Sequence, residues 1–120
     1  MILVDTNVWI DHLHASEARL VDLLENALVA THEAVLTELA LGSIKNRQDV
    51  LDSLASLRRV PRVSDGEVRW FVERRRLWGR GLSAVDAHLL ASAVAVPGTL
   101  LWTRDERLAV AADELGVGHQ

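Results

Sequence analysis

There is no cysteine anywhere in this chain. That excludes disulfides and thiolate metal sites, and it fits a reducing cytosol. Long apolar runs are also missing. The first, Ile2-Leu3-Val4, is broken by Asp5, and the stretch from Leu89 to Val96 is far too short to span a bilayer. A cytoplasmic protein without secretory leader or membrane span is therefore expected. There is no low-complexity segment, linker or internal repeat. No GxGxxG, P-loop or GxSxG element occurs. Histidine offers only the HxH pair His12 and His14, with no third ligand at zinc spacing. Tyrosine is absent and Phe71 is the one phenylalanine, so the four tryptophans stand out.

What is present fits one domain, residues 1–120, with a modest core. Hydrophobic residues make up 49% and charged residues 25%, ordinary for a globular protein. The formal net charge of -4 is unevenly spread. Between Arg58 and Arg80 lie eight arginines and three acids, which leaves five basic residues and 14 acids for the rest. A basic segment set against an acidic body can attract phosphates, or be simply a solvated helix face.

Short apolar runs alternate with helical patterns. Strands are expected at Ile2–Val4, Leu28–Ala30 and Thr99–Trp102, with a short extended piece at Val60–Val63 and an edge strand at Val117. Helices are expected at 6–13, 16–27, 33–41, 47–57, from Ser64 to Gly79 or Gly81, 84–96 and 105–115. Strands separated by helices imply an α/β fold: a short parallel sheet of about four to five strands, flanked by helices on both faces. Ligands of such sheets bind outside the carboxyl ends of the strands. Asp5 and Asp105 each follow an apolar strand and so reach that edge.

Two further acids sit on the wrong helical face. A surface acid has polar neighbours three and four positions away. Glu38 instead has Ala34, Val35, Leu41 and Gly42, and Asp86 has Leu82, Leu89 and Leu90 beside Ser83. Each acid also has a structural use. Asp5 can cap a helix, Asp86 completes a capping box with Ser83, Asp105 suits a first turn, and Glu38 can reach solvent. Four carboxylates at one edge would repel one another and suffer desolvation. A divalent cation relieves both, and an all-oxygen donor set suits Mg²⁺ or Mn²⁺.

The segments VDTNVWID, LTELALG, SAVDAHLLASA and WTRDERL, in this order, resemble the four acidic motifs of PIN-domain ribonucleases. The spacing is most similar to the VapC-type toxins of bacterial toxin–antitoxin pairs. The resemblance covers essentially the whole chain. It implies a PIN-like domain and Mg²⁺-dependent endoribonuclease activity on RNA phosphodiesters, with Mn²⁺ able to substitute. Products with 5′-phosphate and 3′-hydroxyl ends would follow. Asp5, Glu38, Asp86 and Asp105 match the catalytic, metal-binding quartet, and Asn7 and Thr103 match polar residues supporting the first and last acids. A homodimer and neutralisation by a VapB-like antitoxin are also implied. The segment Thr31-His32-Glu33 departs from the pattern, since relatives often place a proline there.

Arg74, Arg75, Arg76 and Arg80 are candidates for holding the RNA backbone, although Arg69 and Glu73 have the spacing of a helical ion pair. Trp9 and Trp102, in apolar runs, are expected to pack in the core. Trp70 and Trp78, on the basic helix, are candidates for a partner groove or dimer face. Two rival readings remain. One is a non-catalytic PIN-like module that binds RNA or protein. The other is a haloacid-dehalogenase-like phosphatase, which would want an acid where Asn7 stands.

Overall fold

A computed structural model describes residues 1–120. Its centre is β1 (Ile2–Val4), an apolar strand paired in parallel on both sides, as a strand buried on both faces should be. The other strands are β2 (Val29–Thr31), β3 (Arg58–Arg59) and β4 (Leu100–Trp102), all parallel, in the order β3-β2-β1-β4. The chain steps outward from β1 to β2 and β3, then returns past β1 to place β4. The switch point of the topology therefore lies between β1 and β4. Right-handed crossovers in this order put helices on both faces.

Seven helices connect or follow these strands: α1 (Thr6–His14), α2 (Ala18–Glu25), α3 (Glu33–Ala40), α4 (Arg47–Ala55), α5 (Asp65–Arg75), α6 (Ala84–Ala95) and α7 (Glu106–Glu114). Helix α6 is buried from Ala87 through Ser92 to Ala93, and its small side chains let it lie close against its neighbours. Leu3, Val4, Val8, Leu20, Leu39, Leu89, Leu90, Leu101 and Leu108 fill the core around β1.

The structure shifts several expected boundaries. Strand β2 spans Val29–Thr31, one residue later at both ends than expected, although the Ile2 N–H still takes the Leu28 carbonyl at its entry. The extended piece expected at 60–63 is preceded by the true strand, Arg58–Arg59. Its exposed arginines hide it from a hydrophobicity pattern, as an edge strand can. Helix α5 stops at Arg75, short of the glycines. Arg76 takes the left-handed conformation (φ 55°), the Leu77 N–H returns to the Val72 carbonyl, and buried Leu77 pins the turn. Asp105 caps α7 rather than lying within it. The expected edge strand at Val117 reduces to a single bridge, Gly118 beside Leu101.

Candidate active site

The register of β1 and β4 builds the site. Val4 pairs with Trp102, and the Asp5 N–H donates to the Trp102 carbonyl at 2.9 Å, so the residues just past the two strands lie side by side. Asp5 caps α1, with its Oδ1 accepting from the Thr6 N–H at 2.7 Å. Its Oδ2 accepts from the Thr103 hydroxyl, also at 2.7 Å. Asp5 is only 6% exposed. Burial pushes its carboxyl pKa up; the two hydrogen bonds oppose this, and the charges of Asp86 and Glu38 reinforce it.

Thr103 uses its whole hydrogen-bonding capacity here. Besides donating to Asp5, its oxygen accepts from the Asp105 N–H (3.0 Å) and from Asn7 Nδ2 (3.3 Å). Asn7 Oδ1 in turn accepts from the Arg104 N–H at 3.1 Å. Asn7 therefore acts on Asp5 through Thr103, not by a direct bond. Thr103 supports Asp5 through its side chain, and it meets Asp105 only at the backbone.

The other acids arrive from three helices. Glu38 sits on the exposed side of α3 and accepts the Thr6 hydroxyl at 2.6 Å. Thr6 thus holds Asp5 with its backbone and Glu38 with its side chain. The sequence reading passed over it; a hydroxyl directly after a strand-end acid is the signal that could have found it. Asp86 forms the expected capping box: its Oδ2 accepts from the Ser83 N–H (2.9 Å), and its own N–H donates to Ser83 Oγ (3.1 Å). Asp105 is exposed, and its Oδ1 accepts from the Leu108 N–H at 3.1 Å.

Asp5, Glu38 and Asp86 therefore form one electrostatic group at the switch point, with Asp105 beside it across Thr103. No three His, Asp or Glu side chains converge closely enough to hold a metal ion in this arrangement. Each carboxylate accepts from its own hydrogen-bond donor. The donor chemistry still fits a hard cation. Every candidate is a carboxylate, one of them is desolvated, and each keeps acceptor capacity beyond the bond it makes.

The basic segment is only partly free. Arg80 pairs with Glu114 at 2.7 Å, and Arg59 pairs with Glu33. Arg74 lies over the Trp70 ring, 5.4 Å from its centroid, and Arg74, Arg75 and Arg76 make no ion pair. Arg69 and Glu73 do not pair despite their spacing. Trp9 and Trp102 are buried, whereas Trp70 and Trp78 are exposed.

A short parallel sheet covered by helices, with a buried acid at its switch point that feels the charges of two others, defines a small α/β protein. The chain belongs to the PIN-domain family, whose model matches residues 2–114. It is similar to proteins named ribonuclease VapC32 from two strains of Mycobacterium tuberculosis. Each is 59% identical over 117 residues, covering 98% of this chain and 94% of the relative.

Proposed function

We infer that this protein is a metal-dependent endoribonuclease that hydrolyses RNA phosphodiester bonds, and that it is the toxin of a toxin–antitoxin pair. The observation that carries the reading is Asp5: a buried carboxylate at the switch point, facing the charges of Glu38 and Asp86. Family membership and the name carried by the similar mycobacterial proteins support it. The ion is Mg²⁺, with Mn²⁺ as a substitute, held by Asp5, Glu38, Asp86 and Asp105. No helix is long and apolar enough to cross a membrane. The site of action is the cytoplasm, as for the family. A VapB-like antitoxin is the cognate partner, and the working form is a homodimer.

The chain's own groups have separable tasks. Thr103 and the Thr6 N–H keep both oxygens of Asp5 in place. The capping box fixes Asp86 at the start of α6, and the Thr6 hydroxyl steadies Glu38. Arg74, Arg75 and Arg76 hold backbone phosphates, with Arg80 available only if it leaves Glu114. When bound, a divalent ion activates water and offsets charge on the phosphate oxygens.

The alternative is a binding module without catalysis. Incubating the purified protein with single-stranded RNA separates the two. Cleavage that needs Mg²⁺ and stops with chelator supports the nuclease; RNA binding without cleavage at any divalent-ion concentration supports the module.

A further inference from the structure

Helix α5 carries a surface that the acidic site does not use. Trp70 is 64% exposed and Trp78 57% exposed, although full exposure of indole is costly. With Glu73, Arg74 and Arg76 they line an open groove of about 640 Å³, within the range of ordinary ligand clefts. No aliphatic residue lines it. The groove's make-up is aromatic faces plus guanidinium, with Arg74 already over the Trp70 ring. Arg74, Arg75 and Arg76 outnumber Glu73 and carry no ion-pair partner. That is the composition of a platform for stacked bases beside backbone phosphates.

Trp70 and Arg74 lie on the side of α5 turned away from α6, whose shared cleft is lined by Val68, Arg69 and Val72. Asp65, at the start of α5, bonds His88 in the second turn of α6 at 2.9 Å. Val72, two turns further along α5, shares a cleft with Leu82, Ser83 and Ala84 at the start of α6. The two helices therefore run antiparallel, and the Arg74–Trp78 end of α5 comes toward the end of α6 that holds Asp86.

We propose that Trp70 and Trp78, flanked by Arg74 and Arg76, stack unpaired bases of the RNA substrate. This rests on the ribonuclease reading above and adds to it a recognition site. Base stacking needs a free base face, so a base-paired strand is refused and a loop or single strand accepted.

The test uses the full chain with chelator present, so that binding is read without cleavage. The probe is single-stranded oligoadenylate about eight nucleotides long, alongside the same oligomer with abasic sites and an RNA duplex. Oligoadenylate should quench tryptophan emission. Trp70→Ala and Trp78→Ala should each weaken binding roughly 10-fold or more, while Trp70→Phe and Trp78→Phe keep most of it. The abasic oligomer and the duplex should bind the unaltered protein about as weakly as the alanine variants bind oligoadenylate. The proposal is overturned if the alanine variants bind oligoadenylate normally, or lose equal affinity for abasic RNA. It is also overturned if they dissociate a dimer in ultracentrifugation while RNA affinity holds, which would make the groove a contact between copies. Mg²⁺-dependent cleavage by the unaltered protein is scored separately. Cleavage with no effect of the tryptophan changes overturns only the stacking site; no binding or cleavage at all overturns the ribonuclease reading with it.

Discussion

The Thr103 hydroxyl donates to Asp5 Oδ2 at 2.7 Å from the far side of the β1–β4 seam, 98 residues away in sequence. The same oxygen accepts from Asn7 Nδ2 and the Asp105 N–H. One side chain thus joins the ends of two strands and the entries to α1 and α7. Thr103→Val keeps the shape but leaves Asp5 Oδ2 without a donor and two N–H groups without an acceptor. A loss of about 1–3 kcal/mol in urea unfolding is expected. Thr103→Ser, which restores the hydroxyl, should recover most of it together with cleavage activity.

The Ser83–Asp86 capping box gives a second prediction. Ser83→Ala removes the acceptor for the Asp86 N–H and loosens the turn that presents the Asp86 carboxylate. Stability should fall by about 1 kcal/mol. Mn²⁺ affinity measured by calorimetry should fall as well; an unchanged affinity would mean the box serves the helix alone.

Glu38 offers the reverse case. It is exposed, and its charge acts on buried Asp5 in the unfavourable sense. Glu38→Gln keeps an oxygen for the Thr6 hydroxyl and removes that charge. Metal-free protein should therefore gain melting temperature slightly, and lose the gain once Mg²⁺ is added. Asp5→Asn is a poorer probe, because both Asp5 oxygens face donors and an amide NH₂ would meet one of them.

A pH dependence follows from His32. It is fully buried, its Nδ1 accepts from the Ala34 N–H, and its Nε2 faces Ser92 Oγ, which donates to the Pro61 carbonyl. Burial first, then the nearby charges of His88 and Arg62, lower its pKa from 6.5 to about 4, against a small opposing effect of Glu33. The neutral ring is the folded form, so the unfolded chain takes up the proton first. Stability is fully present above about 6.5 and is lost as pH falls through that value toward about 4, by up to about 3 kcal/mol. Urea midpoints at intervals across that range should show the slope, and His32→Gln should flatten it.

Much of the fold could be read in the sequence where local signals and burial agree. Ile2-Leu3-Val4 is apolar without interruption because it is paired on both sides, and Ser83 with Asp86 announces the start of α6 by capping chemistry alone. Arg58–Arg59 could not be read, because an edge strand of two exposed arginines owes its extension to β2 rather than to its own side chains. The end of α5 was hidden for a related reason: Arg76 adopts a glycine-like conformation that tertiary burial of Leu77 enforces. At the site, helical neighbours singled out Asp86, which is half-buried, whereas Glu38 lies on the exposed side of α3 despite its apolar neighbours in sequence. The roles of Thr6 and Asn7 depend on contacts across the β1–β4 seam, which no local pattern encodes. His32 caps α3 through its ring, a use visible only once Ser92 lies beside it.

Asp86→Asn is the most direct test of the metal-dependent nuclease. The amide oxygen can still accept from the Ser83 N–H, so the cap and the fold should survive while the negative charge is gone. Mn²⁺ binding by calorimetry and Mg²⁺-dependent RNA cleavage, measured on the same preparation, should both be present in the unaltered protein and both be lost in Asp86→Asn, with the metal-free protein no less stable in urea. An Asp86→Asn protein that binds the ion and cuts RNA at the original rate would contradict the account.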